Sequence, residues 1–168
     1  MELENLNSHN RDKNIVFDEG PHIYYINGSS DNISVTTFVH NHLFPHFDSD
    51  KIIDRMMKSR NWENSKYYGQ TPDEIKAGWE KNKIEASEAG TAMHRSIELF
   101  YNNESVDNSS IEYQYFLKFN DEHKKDLIPY RTEWVVYDEE TKLCGSIDMI
   151  FKTKENDDKH LIMYDWKR

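Results

Sequence analysis

The sequence predicts an α/β (α+β) domain in which a mixed β-sheet is flanked by helices. Three observations carry this expectation. Apolar or small residues at Ala86, Ala89, Met93, Ile97 and Phe100 recur close to helical spacing through residues 84–101. A second helical stretch, residues 111–124, follows. The pattern then changes to three short apolar runs, residues 132–137, 143–151 and 161–166, joined by the charged turns DEETK (138–142) and KTKENDDK (152–159).

The elements follow in order. Residues 1–14 read as a flexible polar tail, and residues 15–168 as one domain, long enough to bury a core. Residues 15–17 and 22–26 flank DEGP and predict a hairpin; Asn27-Gly28-Ser29-Ser30 is a second turn. Residues 33–39 fit a strand or the start of a helix. Asp48 or Asp50 caps a short helix over residues 51–58. Residues 61–70 are aromatic but irregular. Thr71-Pro72-Asp73-Glu74 starts a helix over residues 72–81, with Pro at the first helical position. A separate helix covers residues 84–101. Gly90 weakens it and is expected to permit a close backbone approach. Residues 102–110 form a loop. In the helix over 111–124, Tyr115, Phe116 and Phe119 point inward, and Pro129 ends the region. The stretch 152–159 reads as a solvated turn, and there is no internal repeat.

Composition bounds the function. The chain has 31 acidic and 21 basic residues, a net charge of −10. Such a surface does not attract nucleic acid by itself, since phosphate binding is built on Lys and Arg. Cys144 is the only cysteine, so no intramolecular disulfide, four-cysteine zinc site or cysteine-ligated iron–sulfur cluster forms within the chain. No run approaches the length of a membrane span, and the N-terminus has no apolar signal core. The expectation is a soluble intracellular protein without a membrane partner.

Three signals carry chemistry. His94 and Glu98 lie four apart on one helix and share a face with Gly90 and Tyr101. Gly145-Ser146-Ile147-Asp148 interrupts an apolar strand. The third strand ends Asp165-Trp166-Lys167, with Asp165 and Lys167 on one face and Trp166 on the other. A buried lone carboxylate costs several kcal/mol unless something neutralises it. Two strands each ending on an Asp can share that burden through one divalent cation. Mg²⁺ favours one or two carboxylates, retained waters and phosphate oxygens; an added imidazole suits Mn²⁺ at least as well. Lys167 would act beside it. Each signal alone has a bland reading: a surface salt bridge for Asp165 and Lys167, a turn for the glycine motif, a helix pair for His94 and Glu98. The order helix-His, strand-Asp, strand-Asp-x-Lys is the specific feature.

GTAMHRSIE (90–98), RTEWVVYDEETKLCGSIDMIF (131–151) and LIMYDWKR (161–168) together resemble the RecB-like exonuclease branch of the PD-(D/E)XK nuclease superfamily. SVTTFVHNHLFPHFDSDKII is similar in style to the N-terminal part of viral and mitochondrial members, which suggests a viral protein in a host cell as one setting. The resemblance implies a restriction-endonuclease-like core and a metal-dependent deoxyribonuclease. It implies His94, Asp148, Asp165 and the carbonyl of Trp166 as ligands of Mg²⁺ or Mn²⁺, with Asp148, Asp165 and Lys167 catalytic. Glu98 and Glu133 are secondary candidates without fixed roles. The implied partner is DNA, single-stranded or at its ends, and the implied work an exonuclease's in repair, replication or recombination. The family pattern continues into a helix with Gln-x-x-x-Tyr and further strands. The resemblance therefore implies a fold lacking its C-terminal part. The iron–sulfur cysteines of some relatives are absent.

Two rivals stay open. One is a catalytically inactive nucleic-acid-binding or scaffolding domain that keeps the nuclease fold. The other is an interaction domain with a plain Asp–Lys salt bridge, which requires Asp148 and Asp165 to be far apart. His40, His42 and His46 match no zinc spacing. Trp62, Tyr67 and Tyr68 are candidates for stacking on unpaired bases, but aromatics more often belong to a core, which is the favoured reading. Lys58, Arg60, Lys66, Lys81 and Lys83 would make a phosphate patch only if they cluster.

Overall fold

The computed structural model describes residues 2–18, 20–153 and 160–168. The elements run α1 (Leu3–Leu6), β1 (Ile15–Asp18), β2 (Ile23–Ile26), β3 (Ile33–Ser34), α2 (Val35–His42), α3 (Ser49–Met57), α4 (Pro72–Tyr101), α5 (Ile111–His123), β4 (Leu127–Asp138), β5 (Leu143–Thr153) and β6 (Ile162–Tyr164). This is a mixed α+β chain, as expected. β1 and β2 form the predicted hairpin, with Phe17 opposite Tyr24. In the larger sheet β5 is central. β4 pairs along one edge of it antiparallel; on the other edge β3 pairs parallel at Leu143 and β6 antiparallel at Met149 to Phe151.

β5 explains the sheet's order. It carries Met149, Ile150 and Phe151, consecutive residues that face both sides of the sheet and are all buried, and a strand buried on both faces belongs in the middle. Met149 and Phe151 pack with Met93, Ile97 and Tyr101 of α4 and Tyr113 and Phe116 of α5. Residues 33–39 satisfy both earlier readings: two residues of strand, then α2, which Ser34 caps through the Thr37 N–H. Asp48, not Asp50, caps α3.

Several expectations are corrected. Residues 72–101 form one 30-residue helix, not two. Thr71 and Glu74 form a reciprocal capping box at its start. The polar stretch at residues 80–85 is a solvated continuation carrying the Lys83–Glu80 and Lys81–Glu85 pairs. Gly90 permits no close approach: a Cβ there would meet nothing within 4 Å. In α5 Tyr113 is buried, whereas Tyr115 is 67% exposed. Pro129 lies inside β4, an edge strand, beside a register shift between Pro129 and Arg131, the kind of position at which a sheet tolerates proline. The turn expected over 152–159 lies outside the described residues from 154 onward.

The N-terminal segment is no free tail. Leu3 is buried in the core, and its N–H donates to Asn102 Oδ1 at 2.8 Å. Asn7 Nδ2 donates to the Tyr130 carbonyl at 2.8 Å and Arg11 Nη2 to the Tyr137 carbonyl at 3.0 Å, so the segment lies along the outer edge of β4. Arg131, 3% exposed, gives the physical reason. A buried guanidinium needs a counter-charge, and Asp12 supplies it at 2.8 Å, with the Asn7 carbonyl at 3.1 Å. Asp12 also accepts from Trp134 Nε1 at 3.0 Å.

Candidate functional site

α4 carries two adjacent stripes. Met93, Ile97 and Tyr101, four apart, anchor the helix in the core. One position over, Gly90, His94 and Glu98 line a groove of about 750 Å³. The helix that builds the core therefore fixes His94 at a defined height above the sheet. Tyr101, expected on the His94 face, belongs instead to the buried stripe.

Ser146 and Asp148 share a face of β5, and Glu133 and Val135 share the facing side of β4. Val135 pairs with Ser146; Thr132 with Met149 and Trp134 with Ile147 bracket Glu133 and Asp148, which stand opposite one another. Glu133 has φ of +42°, a left-handed conformation rare for a residue with a Cβ. Its Oε2 accepts from Ser146 Oγ at 3.0 Å, and its Oε1 lies 3.4 Å from His94 Nδ1.

The residues after β6 close the site. Trp166 N–H donates to Asp148 Oδ2 at 2.7 Å. The carbonyl of the same residue lies 3.1 Å from His94 Nε2, which donates to it. His94 Nδ1 is 3.7 Å from Asp148 Oδ2. The Trp166 ring packs against Phe116, Phe119 and Tyr164, as the alternation predicts, and its Nε1 is buried without a hydrogen-bond partner among the described residues. One ligand atom each from His94, Glu133 and Asp148 can be chosen so that all lie within 4.8 Å of one another.

The electrostatics follow from this crowding. Burial raises the Asp148 pKa; the Trp166 N–H and His94 oppose that, while the charges of Glu133 and Asp165 add to it. The His94 pKa is raised, first by its contact with Glu133 and then, against the cost of burial, by Asp148. Both ring nitrogens thus face acceptors, the setting of an imidazolium.

Asp165 is placed differently from expectation. β6 ends at Tyr164, so Asp165 is no longer held by the ladder. Its side chain is 60% exposed and accepts from Lys167 Nζ at 2.8 Å. It stays outside the group formed by His94, Glu133 and Asp148. Its proximity to Asp148, through the Trp166 N–H bond, is not what a plain interaction domain with distant carboxylates requires. Lys167 is 77% exposed, and its pKa is raised by Asp165. Glu98 pairs with Arg95 at 2.6 Å rather than joining His94.

The remaining candidates stand apart. The His40 and His46 rings are 5.6 Å apart, but none of the three histidines joins a three-ligand group among the described residues. Tyr67 Oη accepts from Trp79 Nε1 at 2.8 Å, and Trp62 meets Tyr68 edge-on, so this aromatic group packs on itself. Lys58, Lys81 and Lys83 are paired with Asp54, Glu85 and Glu80, which interleaves negative charge in any patch. Two groove residues carried no signal in the sequence, Phe17 and His22. Glu133 did carry one: counting outward from the DEETK turn sets it across from Asp148.

No protein-family model, no curated protein and no solved structure matches the chain. Among the described residues, no helix is long and apolar enough to cross a membrane.

Proposed function

We propose that this chain is a metal-dependent nuclease of the PD-(D/E)XK superfamily, RecB-like branch, with a restriction-endonuclease-like core, hydrolysing phosphodiester bonds of DNA as an exonuclease. The observation that carries the reading is the clamp on the Trp166 peptide: its N–H on Asp148 and its carbonyl on His94. A helix histidine, a mid-strand aspartate and the peptide inside Asp-x-Lys meet at one point, from segments 54 and 18 residues apart in sequence. A salt bridge on a solvated surface would not require that convergence.

The donor set fits a hard divalent cation. One imidazole, one or two carboxylates and a backbone carbonyl are acceptable to Mg²⁺ and more so to Mn²⁺. His94, which must give up a ring proton to bind a metal, would hold the ion with Asp148 and the Trp166 carbonyl, with Glu133 or Asp165 completing the carboxylate set. Bound there, a cation would polarise a phosphodiester and lower the pKa of a water. The chain's own residues do the rest. Asp148, fixed by the Trp166 N–H, holds negative charge at a set position beside His94. Glu133, tied to Ser146, orients His94. Lys167 keeps an ammonium beside Asp165, where it can counter charge that develops on phosphate oxygens. The partner would be a DNA end or single strand.

The Lys167–Asp165 pair is the one observation that favours the rival, an inactive domain that keeps the fold, because it occupies both catalytic groups with each other. Calorimetry with Mn²⁺ on the wild type and on Asp148→Asn/Asp165→Asn tests the site. Binding that is lost in the double variant supports it; a folded wild type that binds no cation contradicts it. Binding without cleavage selects the inactive domain.

A further inference from the structure

The groove that holds His94 and Glu133 has a second wall, and it is aromatic. Phe17, His22 and Tyr24 of the β1–β2 hairpin line it, facing α4 at Gly90 and Thr91. Phe17 stacks on Tyr24 with centroids 4.5 Å apart, and His22 meets Phe17 edge-on at 4.9 Å. Tyr24 is buried and serves as backing, whereas His22 is exposed. His22 sits at the hairpin turn with φ of +56°, a left-handed conformation that glycine adopts freely and histidine more readily than most other residues. The turn thus presents an exposed aromatic ring to the groove. Across the groove, a Cβ on Gly90 would meet nothing within 4 Å, so the helix leaves the space open where the rings face it.

We propose that this groove binds an unpaired nucleobase of a single-stranded nucleic acid, with Phe17 and His22 as the stacking wall that positions the strand. The inference rests on the nuclease reading, since that reading supplies the phosphate-binding end of the same groove. A planar stacking surface beside a cation-binding group matches the two halves of a nucleotide. Base–aromatic stacking tolerates any sequence, because every base has a π-face. The groove is also within the size range of small-ligand sites. A base inside a duplex is stacked on both faces and presents none to these rings. The hairpin therefore selects unpaired strand over duplex.

The test uses the full chain and fluorescein-labelled thymidine and uridine decamers, read by anisotropy with Ca²⁺, a hard oxygen-binding cation, present. His22→Gly removes the ring and suits the turn's φ; Gly90→Leu fills the groove from a position with free space around it. Neither is among the catalytic or cation-binding candidates. Each is expected to weaken binding of the preferred decamer about 5- to 100-fold, with thermal stability kept and Mn²⁺ affinity unchanged. His22→Trp is expected to restore or exceed wild-type binding. If the wild type binds Mn²⁺ and cleaves DNA but both variants bind the decamers as it does, the stacking wall is overturned and the nuclease reading stands. If the wild type neither binds a decamer nor cleaves any DNA, both fall.

Discussion

Glu133 and Asp148 face each other across the β4–β5 ladder, two carboxylates at opposed positions, with φ of +42° at Glu133. Like charges directly opposite destabilise a sheet, and a non-glycine residue in the left-handed region adds roughly 1–2 kcal/mol of strain. His94, 3.4 Å from Glu133 and 3.7 Å from Asp148, relieves part of this in its protonated form. A divalent cation would relieve more. Sites that store strain and like charge together are typical of function rather than of structural optimisation.

Glu133 is therefore expected to matter for the cation more than for the fold. Glu133→Gln should weaken Mn²⁺ binding about 10- to 100-fold, the range for residues that orient a ligand. Its melting temperature without metal should be unchanged or higher. Calorimetry and thermal unfolding in EDTA check the two halves. Unaltered affinity would make Glu133 a bystander.

Gly90 offers a clean test of the helix. Because a Cβ there has open space, Gly90→Ala should stabilise the chain by about 0.5–1 kcal/mol through helix propensity alone. Denaturant unfolding reads the gain. A loss would show that α4 needs the glycine for a contact.

The N-terminal segment should be essential to stability. Asp12→Ala removes the nearer carboxylate from buried Arg131 and leaves it the exposed Glu4 at 3.9 Å, and breaking a buried pair from one side costs about 3–5 kcal/mol. Urea titration of the variant measures it. A change under about 1 kcal/mol would place Asp12 among ordinary surface pairs.

The same pair has a sign in pH. Burial pushes the Asp12 carboxyl up, but the bonds from Arg131, the His9 N–H and Trp134 outweigh it and hold the pKa below its ordinary 3.8. A carboxyl depressed in the folded state contributes stability that is fully present above its unfolded value. That contribution is lost as pH falls through the lower folded value. Unfolding free energy should thus fall between about pH 5 and the depressed folded pKa. In Asp12→Asn that part of the acid slope should vanish.

The sequence made some of this legible and hid the rest for physical reasons. His94 and Asp148 were readable because helix and strand periods are local: four residues separate His94 from Gly90 and Glu98, and alternation places Ser146 with Asp148. The Asp165-x-Lys167 motif was readable as a pattern, but its side chains turn to each other because β6 stops one residue earlier. Burial of Leu3 and the Asp12–Arg131 pair were not readable, since both depend on contacts 99 and 119 residues away with no local signature. Tyr113 and Tyr115 differ by two positions, and a wide aromatic stripe in α5 does not say which one faces in. The unity of α4 was hidden by its charged middle, which reads as a break although its ion pairs at three- and four-residue spacing are those of a continuous helix.

The most direct test of the central claim is Mn²⁺-dependent cleavage of single-stranded and end-labelled duplex DNA by the purified chain, alongside Asp148→Asn and Lys167→Ala. A nuclease centred on Asp148 and Lys167 should give cleavage by the wild type that EDTA abolishes, and loss in both variants with their thermal unfolding and circular dichroism unchanged. Cleavage that persists in Asp148→Asn, or a folded wild type that binds Mn²⁺ and cuts neither substrate, would contradict it.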